Sequence, residues 1–119
     1  MENIKKILIV EDYNLNKKGL RAVLENSNHI IYEASDGLEG VAKAILENPD
    51  LIITDQNMPR MNGSTMIKKL KKYSATSSIP IIGWGDFGEQ DQENLSFLYD
   101  KTDAYKGSEM INTINRLLE

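Results

Sequence analysis

Short runs of aliphatic and β-branched residues alternate along this chain with longer stretches in which apolar residues recur at helical spacing. Lys6 to Val10 reads as a strand apolar on both faces, and Leu15, Leu20, Val23 and Leu24 then follow at helical intervals. Ile30-Ile31-Tyr32 forms a second short strand. Asp36 is placed to cap a helix carrying Leu38, Val41, Ala42, Ile45 and Leu46, which Asn48-Pro49 ends because proline disfavours helical geometry in the residue before it. Leu51 to Thr54 is a third strand, Gly63 to Tyr73 a helix carrying Met66, Ile67 and Leu70, and Ile79 to Ile82 a fourth strand entered through Pro80. The pattern predicts a helix over Gln90 to Tyr99 with Leu95, Leu98 and Tyr99 inward, then a short fifth strand at Ala104-Tyr105. Met110, Ile111, Ile114, Leu117 and Leu118 make the last helix amphipathic. Five strand–helix repeats with fully apolar central strands predict an α/β fold, a parallel sheet covered by helices on both faces.

Composition narrows this picture little. The 119 residues suit one compact domain, so a single unit over 1–119 is expected, and 40% hydrophobic with 27% charged residues is enough to bury a core without disulfides or a structural metal. The net charge of −4 argues against nucleic acid as a direct partner. Lys68, Lys69, Lys71 and Lys72 cluster, but helical spacing spreads them around a solvated face. The absence of cysteine excludes thiol chemistry and thiolate metal sites. No segment has the length of a transmembrane helix or the form of a signal peptide, so a cytoplasmic protein without membrane contact is the expectation.

The candidate chemistry lies in the acids. In open parallel sheets, ligands sit beyond the carboxyl ends of the strands, where strand order reverses. The first strand runs directly into Glu11-Asp12 and the third directly into Asp55. Glu11 and Asp12 could merely cap a helix, and Asp55 could be a turn residue. Acids at the carboxyl ends of two strands in a five-unit α/β chain favour a site instead. Three carboxylates in one pocket repel each other unless a cation stands between them, and Mg²⁺, which takes oxygen ligands and works beside phosphate, is the natural candidate.

The segments Ile7-Leu8-Ile9-Val10-Glu11-Asp12 and Asp50-Leu51-Ile52-Ile53-Thr54-Asp55-Gln56-Asn57-Met58-Pro59-Arg60-Met61-Asn62-Gly63 resemble the two signature stretches of response-regulator receiver domains, and the resemblance runs from Lys6 to Leu118. It implies a flavodoxin-like (βα)5 fold with strand order 2-1-3-4-5. It makes Asp55 the phosphoacceptor and Asp12 a direct Mg²⁺ ligand, with Glu11 helping through water and the backbone carbonyl of Asn57 completing the set. The phosphoryl donor would be a phosphohistidine on a histidine kinase or histidine phosphotransfer protein. Signalling would pass to a downstream protein through the fourth helix, fifth strand and fifth helix.

Two positions depart from the family pattern. The Ser or Thr that ends the fourth strand falls on Gly85, which has no hydroxyl and offers only a backbone N–H. The lysine after the fifth strand, usually followed by proline, has no clear counterpart: an ungapped count reaches Ser108, and a deletion after Tyr105 brings in Lys106. Tyr105 matches the family's switch aromatic, but with Gly85 it lacks the hydroxyl that would draw it inward. His29 reads as a surface residue, Trp84 as packing or the mouth of the site, and Met58, Met61 and Met66 as packing. Two readings follow. One is a phosphoacceptor module; the alternative is a pseudo-receiver that docks proteins without phosphorylation. An enzyme is disfavoured, since a phosphatase built on Asp55 would want a second acid where Asn57 stands, and a nucleotide site would want a phosphate loop where Glu11-Asp12 stand.

Overall fold

The computed structural model describes residues 4–25, 27–99 and 107–119, with side chains beyond the fifth strand from residue 109 onward. The elements are β1 (Lys6–Val10), α1 (Asn14–Leu24), β2 (Ile30–Ala34), α2 (Gly37–Glu47), β3 (Leu51–Asp55), α3 (Gly63–Lys72), β4 (Ile81–Trp84), a 3-10 turn (Glu89–Asn94), β5 (Phe97–Tyr99) and α4 (Gly107–Leu117). The five strands form one sheet in the order β2-β1-β3-β4-β5, and every pairing is parallel. This is the flavodoxin-like order the resemblance implies.

The sheet buries both faces, as its apolar strands require. On one side Ile7, Ile9, Leu51, Ile53 and Ile82 pack with Leu20 and Leu24 of α1 and Met110 and Ile114 of α4. On the other, Leu8, Val10, Ile52 and Ile81 pack with Ala44 of α2 and Met66, Ile67 and Leu70 of α3. The predicted stops hold. Asp36 caps α2 by accepting the Glu39 N–H at 2.9 Å, and Asn48 ends that helix in the left-handed conformation just before Pro49.

The segment after β4 differs from expectation. The predicted helix over Gln90–Tyr99 is a six-residue 3-10 turn followed by the three-residue strand β5. The reason is local: Glu89-Gln90-Asp91-Gln92-Glu93-Asn94 holds no apolar residue, so a helix there has no face to bury. Phe97-Leu98-Tyr99 is a consecutive apolar and aromatic run that suits a strand, and it pairs in register with Ile82, Gly83 and Trp84. The fifth strand is therefore Phe97–Tyr99. The expected strand Ala104-Tyr105 lies outside the described residues. The docking face predicted from a fourth helix, fifth strand and fifth helix lacks its helix, since only the 3-10 turn stands between β4 and β5.

Candidate functional site

From β1 the chain moves outward to β2 and then returns across β1 to β3, so strand order reverses between β1 and β3. Their carboxyl ends lie side by side at that reversal. The Glu11 N–H donates to the Ala34 carbonyl at 3.0 Å, which extends the line of β1 by one residue, so that Glu11 and Asp12 stand at its carboxyl end. Asp55 is the last residue of β3. The structure brings together the three acids singled out from the sequence: one carboxylate oxygen from each of Glu11, Asp12 and Asp55 lies within 4.8 Å of the others. Glu11 and Asp55 are buried, at 1% and 3% exposure, and Asp12 faces solvent. Asn57 stands exposed two residues further along the β3–α3 loop.

The donor set suits a hard divalent cation. It is all oxygen, it carries three formal negative charges, and its one exposed carboxylate leaves a side open for water and substrate. Two oxygens on one Mg²⁺ stand at most about 4.2 Å apart, twice the bond length. The observed spread closes to that value with small side-chain shifts.

Gln56, which the sequence reading passed over, fixes the Asp55 carboxylate. Its N–H donates to Asp55 Oδ1 at 2.7 Å, its carbonyl accepts the Gly63 N–H at 2.9 Å, and its Oε1 accepts the Ser64 N–H at 2.7 Å. One residue thus ties the Asp55 carboxylate to the first turn of α3. The approach is close. A Cβ on Gly63 would collide with the Asp55 carbonyl oxygen, so only glycine fits. A second clamp holds the far side of the loop. Arg60, with φ of 64°, places Nε 2.7 Å from Asp36 Oδ2, and the Met61 carbonyl accepts the Gly37 N–H at 3.0 Å. The Glu39 N–H and the Arg60 guanidinium together hold the Asp36 carboxyl below its ordinary pKa against the opposing effect of burial.

The readout side is built otherwise. Gly85 has φ of 112°, a conformation that L side chains rarely adopt, so no threonine or serine would sit comfortably there. Its N–H, expected to be available to a phosphoryl oxygen, instead donates to the Tyr99 carbonyl at 3.0 Å, and its carbonyl accepts the Phe87 N–H at 3.0 Å. Phe87 was also missed. Its ring lies beside two glycines, with ring carbons 2.9 Å from where a Gly63 Cβ would be and 3.0 Å from where a Gly83 Cβ would be. No local pattern announces this, because the two glycines are distant in sequence and come together only in the fold, one at the start of α3 and the other in β4. Tyr105 and Lys106 lie outside the described residues, as does Ser108 beyond its backbone. With β5 ending at Tyr99, the residues that follow it in sequence are Asp100 and Lys101. Trp84 is buried at 2% exposure among Ile53, Tyr99 and Met110, and so packs. His29 Nδ1 accepts the Lys5 N–H at 3.1 Å, a structural role.

The response regulator receiver domain family matches residues 7–97, and the chain belongs to that family. PilH of Pseudomonas aeruginosa is 40% identical over 77 residues, covering 65% of this chain and 64% of PilH, just under two thirds of that relative's length. Among solved structures, the receiver domain of a signal transduction histidine kinase from Syntrophus aciditrophicus superposes with a TM-score of 0.83 at 28% identity, over 96% of this chain and 89% of that one. The receiver domain of a sensor histidine kinase from Pseudomonas aeruginosa, solved with a magnesium ion coordinated in its active-site cleft, superposes with a TM-score of 0.85 at 23% identity over 98% of each chain, a likeness of fold. Among the described residues no helix is long and apolar enough to cross a membrane.

Proposed function

We propose that this chain accepts a phosphoryl group on Asp55 from a phosphohistidine of a histidine kinase or histidine phosphotransfer protein, as one receiver unit over 1–119, and passes the signal on by protein contact. The observation that carries this reading is the meeting of Glu11, Asp12 and Asp55 within 4.8 Å at the strand-order reversal of a receiver fold. Glu11, Asp12, Asp55 and the Asn57 carbonyl would hold Mg²⁺, which supplies charge neutralisation for the phosphoryl oxygens. The transfer balances simply. A carboxylate oxygen of Asp55 attacks phosphorus, the P–N bond to the imidazole breaks, and the leaving imidazole nitrogen ends neutral or takes up a proton from water. No electron is exchanged. The Gln56 N–H and the loop clamps at Gly63 and Asp36 keep the attacking carboxylate in place, which reduces the entropy lost on reaching the transition state.

The test is incubation with acetyl phosphate and Mg²⁺ followed by intact mass. One phosphoryl adduct on the wild type, absent from Asp55→Asn and suppressed by EDTA, is the expected result. No adduct, under conditions that label another receiver domain, rejects the reading.

A second reading has its own observation. The left-handed Gly85, its engaged N–H and the 3-10 turn in place of a helix after β4 favour a receiver that docks partners without using phosphorylation. That reading requires Asp55→Asn to bind partners as tightly as the wild type.

A further inference from the structure

Helix α2 is inverted relative to an ordinary amphipathic helix. Its buried residues are the small ones, Gly37, Gly40 and Ala44. A Cβ on Gly40 would stand 2.6 Å from Met66 Sδ and about 3 Å from both Val10 methyls, so the helix lies close against the sheet on its smallest face. Val41 packs partly buried against the core, but the helix's largest apolar residues are left outside. Leu38 is 46% exposed, Ile45 50% and Leu46 78%, with Ala42 exposed between them. Leu38, Ala42 and Leu46 follow at i, i+4 and i+8, and Ile45 stands beside them, so these residues form one continuous stripe. A contiguous exposed apolar stripe on a small domain marks a contact surface.

The stripe and its flank are self-complementary. Glu39 and Lys43 line one edge, with Glu39 Oε1 3.9 Å from Lys43 Nζ. Lys43 Nζ also donates to the Glu33 carbonyl at 2.7 Å and Glu39 Oε2 accepts the Ser35 N–H at 3.2 Å, and both side chains remain more than a third exposed. A second copy laid antiparallel, with the two-fold axis at Ala42, sets Leu38 against the partner's Leu46 and brings the two small Ala42 residues together at the crossing. Such a two-fold keeps the charged edges of both helices on the same side. At about 1.5 Å rise per residue, Glu39 then lies about 3 Å along the axis from the partner's Lys43, and Lys43 equally from the partner's Glu39. The opposed helix dipoles add to the match. We infer that α2 is the interface of a symmetric, antiparallel homodimer of this chain, in which Leu38, Ala42, Ile45 and Leu46 are buried and Glu39 pairs with the partner's Lys43. A single helix per protomer covers less than the roughly 800 Å² per partner of a standard stable interface, so the association is weak and shows itself at high concentration.

Sedimentation equilibrium of the chain tests this. The average mass of the wild type should rise from monomer toward dimer as loading increases to about 1 mM. Leu46→Glu, at a largely exposed position, should remain monomeric. Glu39→Lys alone sets lysine against lysine at both cross-axis contacts, and Lys43→Glu alone sets acid against acid, so each should associate roughly fivefold more weakly. A one-to-one mixture of these two variants should associate as well as the wild type, because in the mixed dimer each cross-axis contact again sets a lysine against a glutamate. A wild type that stays monomeric throughout, a Leu46→Glu variant that dimerises unchanged, or a mixture no tighter than its components overturns the assignment. Asp55→Asn should dimerise normally, which separates this result from the fate of the phosphoacceptor reading.

Discussion

On the side of β1 and β3, each group that positions the candidate acceptor is doubly held. Gln56 binds the Asp55 carboxylate and the first turn of α3, and Arg60 and Gly37 fasten the loop to the start of α2. On the side of β4 and β5, the hydroxyl position is a left-handed glycine, the connecting helix is reduced to a 3-10 turn, and Phe87 fills the space between Gly63 and Gly83. One sheet thus carries a tightly specified corner at the proposed acceptor and a relaxed corner at the proposed reporter. The two sides place different demands on sequence. Holding a carboxylate and a cation needs particular oxygens at particular places, whereas reporting needs only some element whose position depends on them.

The largest effect should come from the acceptor corner. Asp55→Asn is expected to abolish phosphoryl uptake from acetyl phosphate, read by intact mass, while leaving urea stability within about 1 kcal/mol because the isosteric amide still accepts from Gln56 N–H. Residual adduct at wild-type level would move the acceptor elsewhere and end the comparison.

Next comes the place where the two corners touch. Gly63→Ala drives a methyl group into the Asp55 carbonyl and the Phe87 ring, both of which sit closer than any real Cβ contact. The expected loss is about 3 kcal/mol in urea unfolding, together with slower phosphoryl uptake. Phe87→Ala empties the space from the other side and should cost about 2 kcal/mol, less than a fully buried phenylalanine because the ring is only partly covered. If phosphoryl uptake is unchanged in Phe87→Ala but falls in Gly63→Ala, the acceptor corner stands independently of the reporting one.

Gly85→Thr restores the family's hydroxyl and is expected to lower stability by about 2 kcal/mol, since a β-branched residue at φ of 112° is strained. Trp84, in register with Asp55, supplies a fluorescence reading of whether the hydroxyl then responds to beryllofluoride and Mg²⁺. A Gly85→Thr variant as stable as the wild type would mean the β4–β5 connection readily adopts the ordinary conformation, and the contrast between corners would shrink.

How much of this was legible in the sequence follows the same division. Strands β1 and β3 announce themselves as apolar runs ending in acids, and the parallel topology then forces Glu11, Asp12 and Asp55 together. Asp36 and Asn48-Pro49 are local signals and mark the ends of α2 correctly. The failures are non-local. Leu95, Leu98 and Tyr99 have spacing compatible with a helix, but the residues before them lack any apolar face, and pairing with β4 makes Phe97–Tyr99 a strand. Gln56 reads as an ordinary loop residue until its three hydrogen bonds are seen. The outward stripe of α2 reads from the sequence as core, since periodicity identifies an apolar face without saying which face the sheet will take. Gly40 and Ala44 decided that by allowing the closer approach.

The smallest effect isolates the second clamp. The Asp36 carboxyl is held below its ordinary pKa, first by the Glu39 N–H and then, with burial opposing, by Arg60. A carboxyl depressed on folding contributes stability that is complete above its unfolded value, near about 3.9, and is lost as pH falls through the lower folded value. Asp36→Asn keeps an N-cap acceptor for Glu39, because asparagine caps about as well as aspartate, and removes only the charge paired with Arg60. Arg60 is largely exposed, so the pair is screened, and the variant should lose no more than about 1 kcal/mol at neutral pH. The difference between wild type and variant should shrink as pH falls through the lowered folded value, below which both carry a neutral group at this position. Urea unfolding from about pH 2 to pH 7 checks this. A gap that persists at the lowest pH would assign the effect to packing of the β3–α3 loop instead of to charge, and would make the acceptor corner as tolerant of electrostatic change as the reporting one.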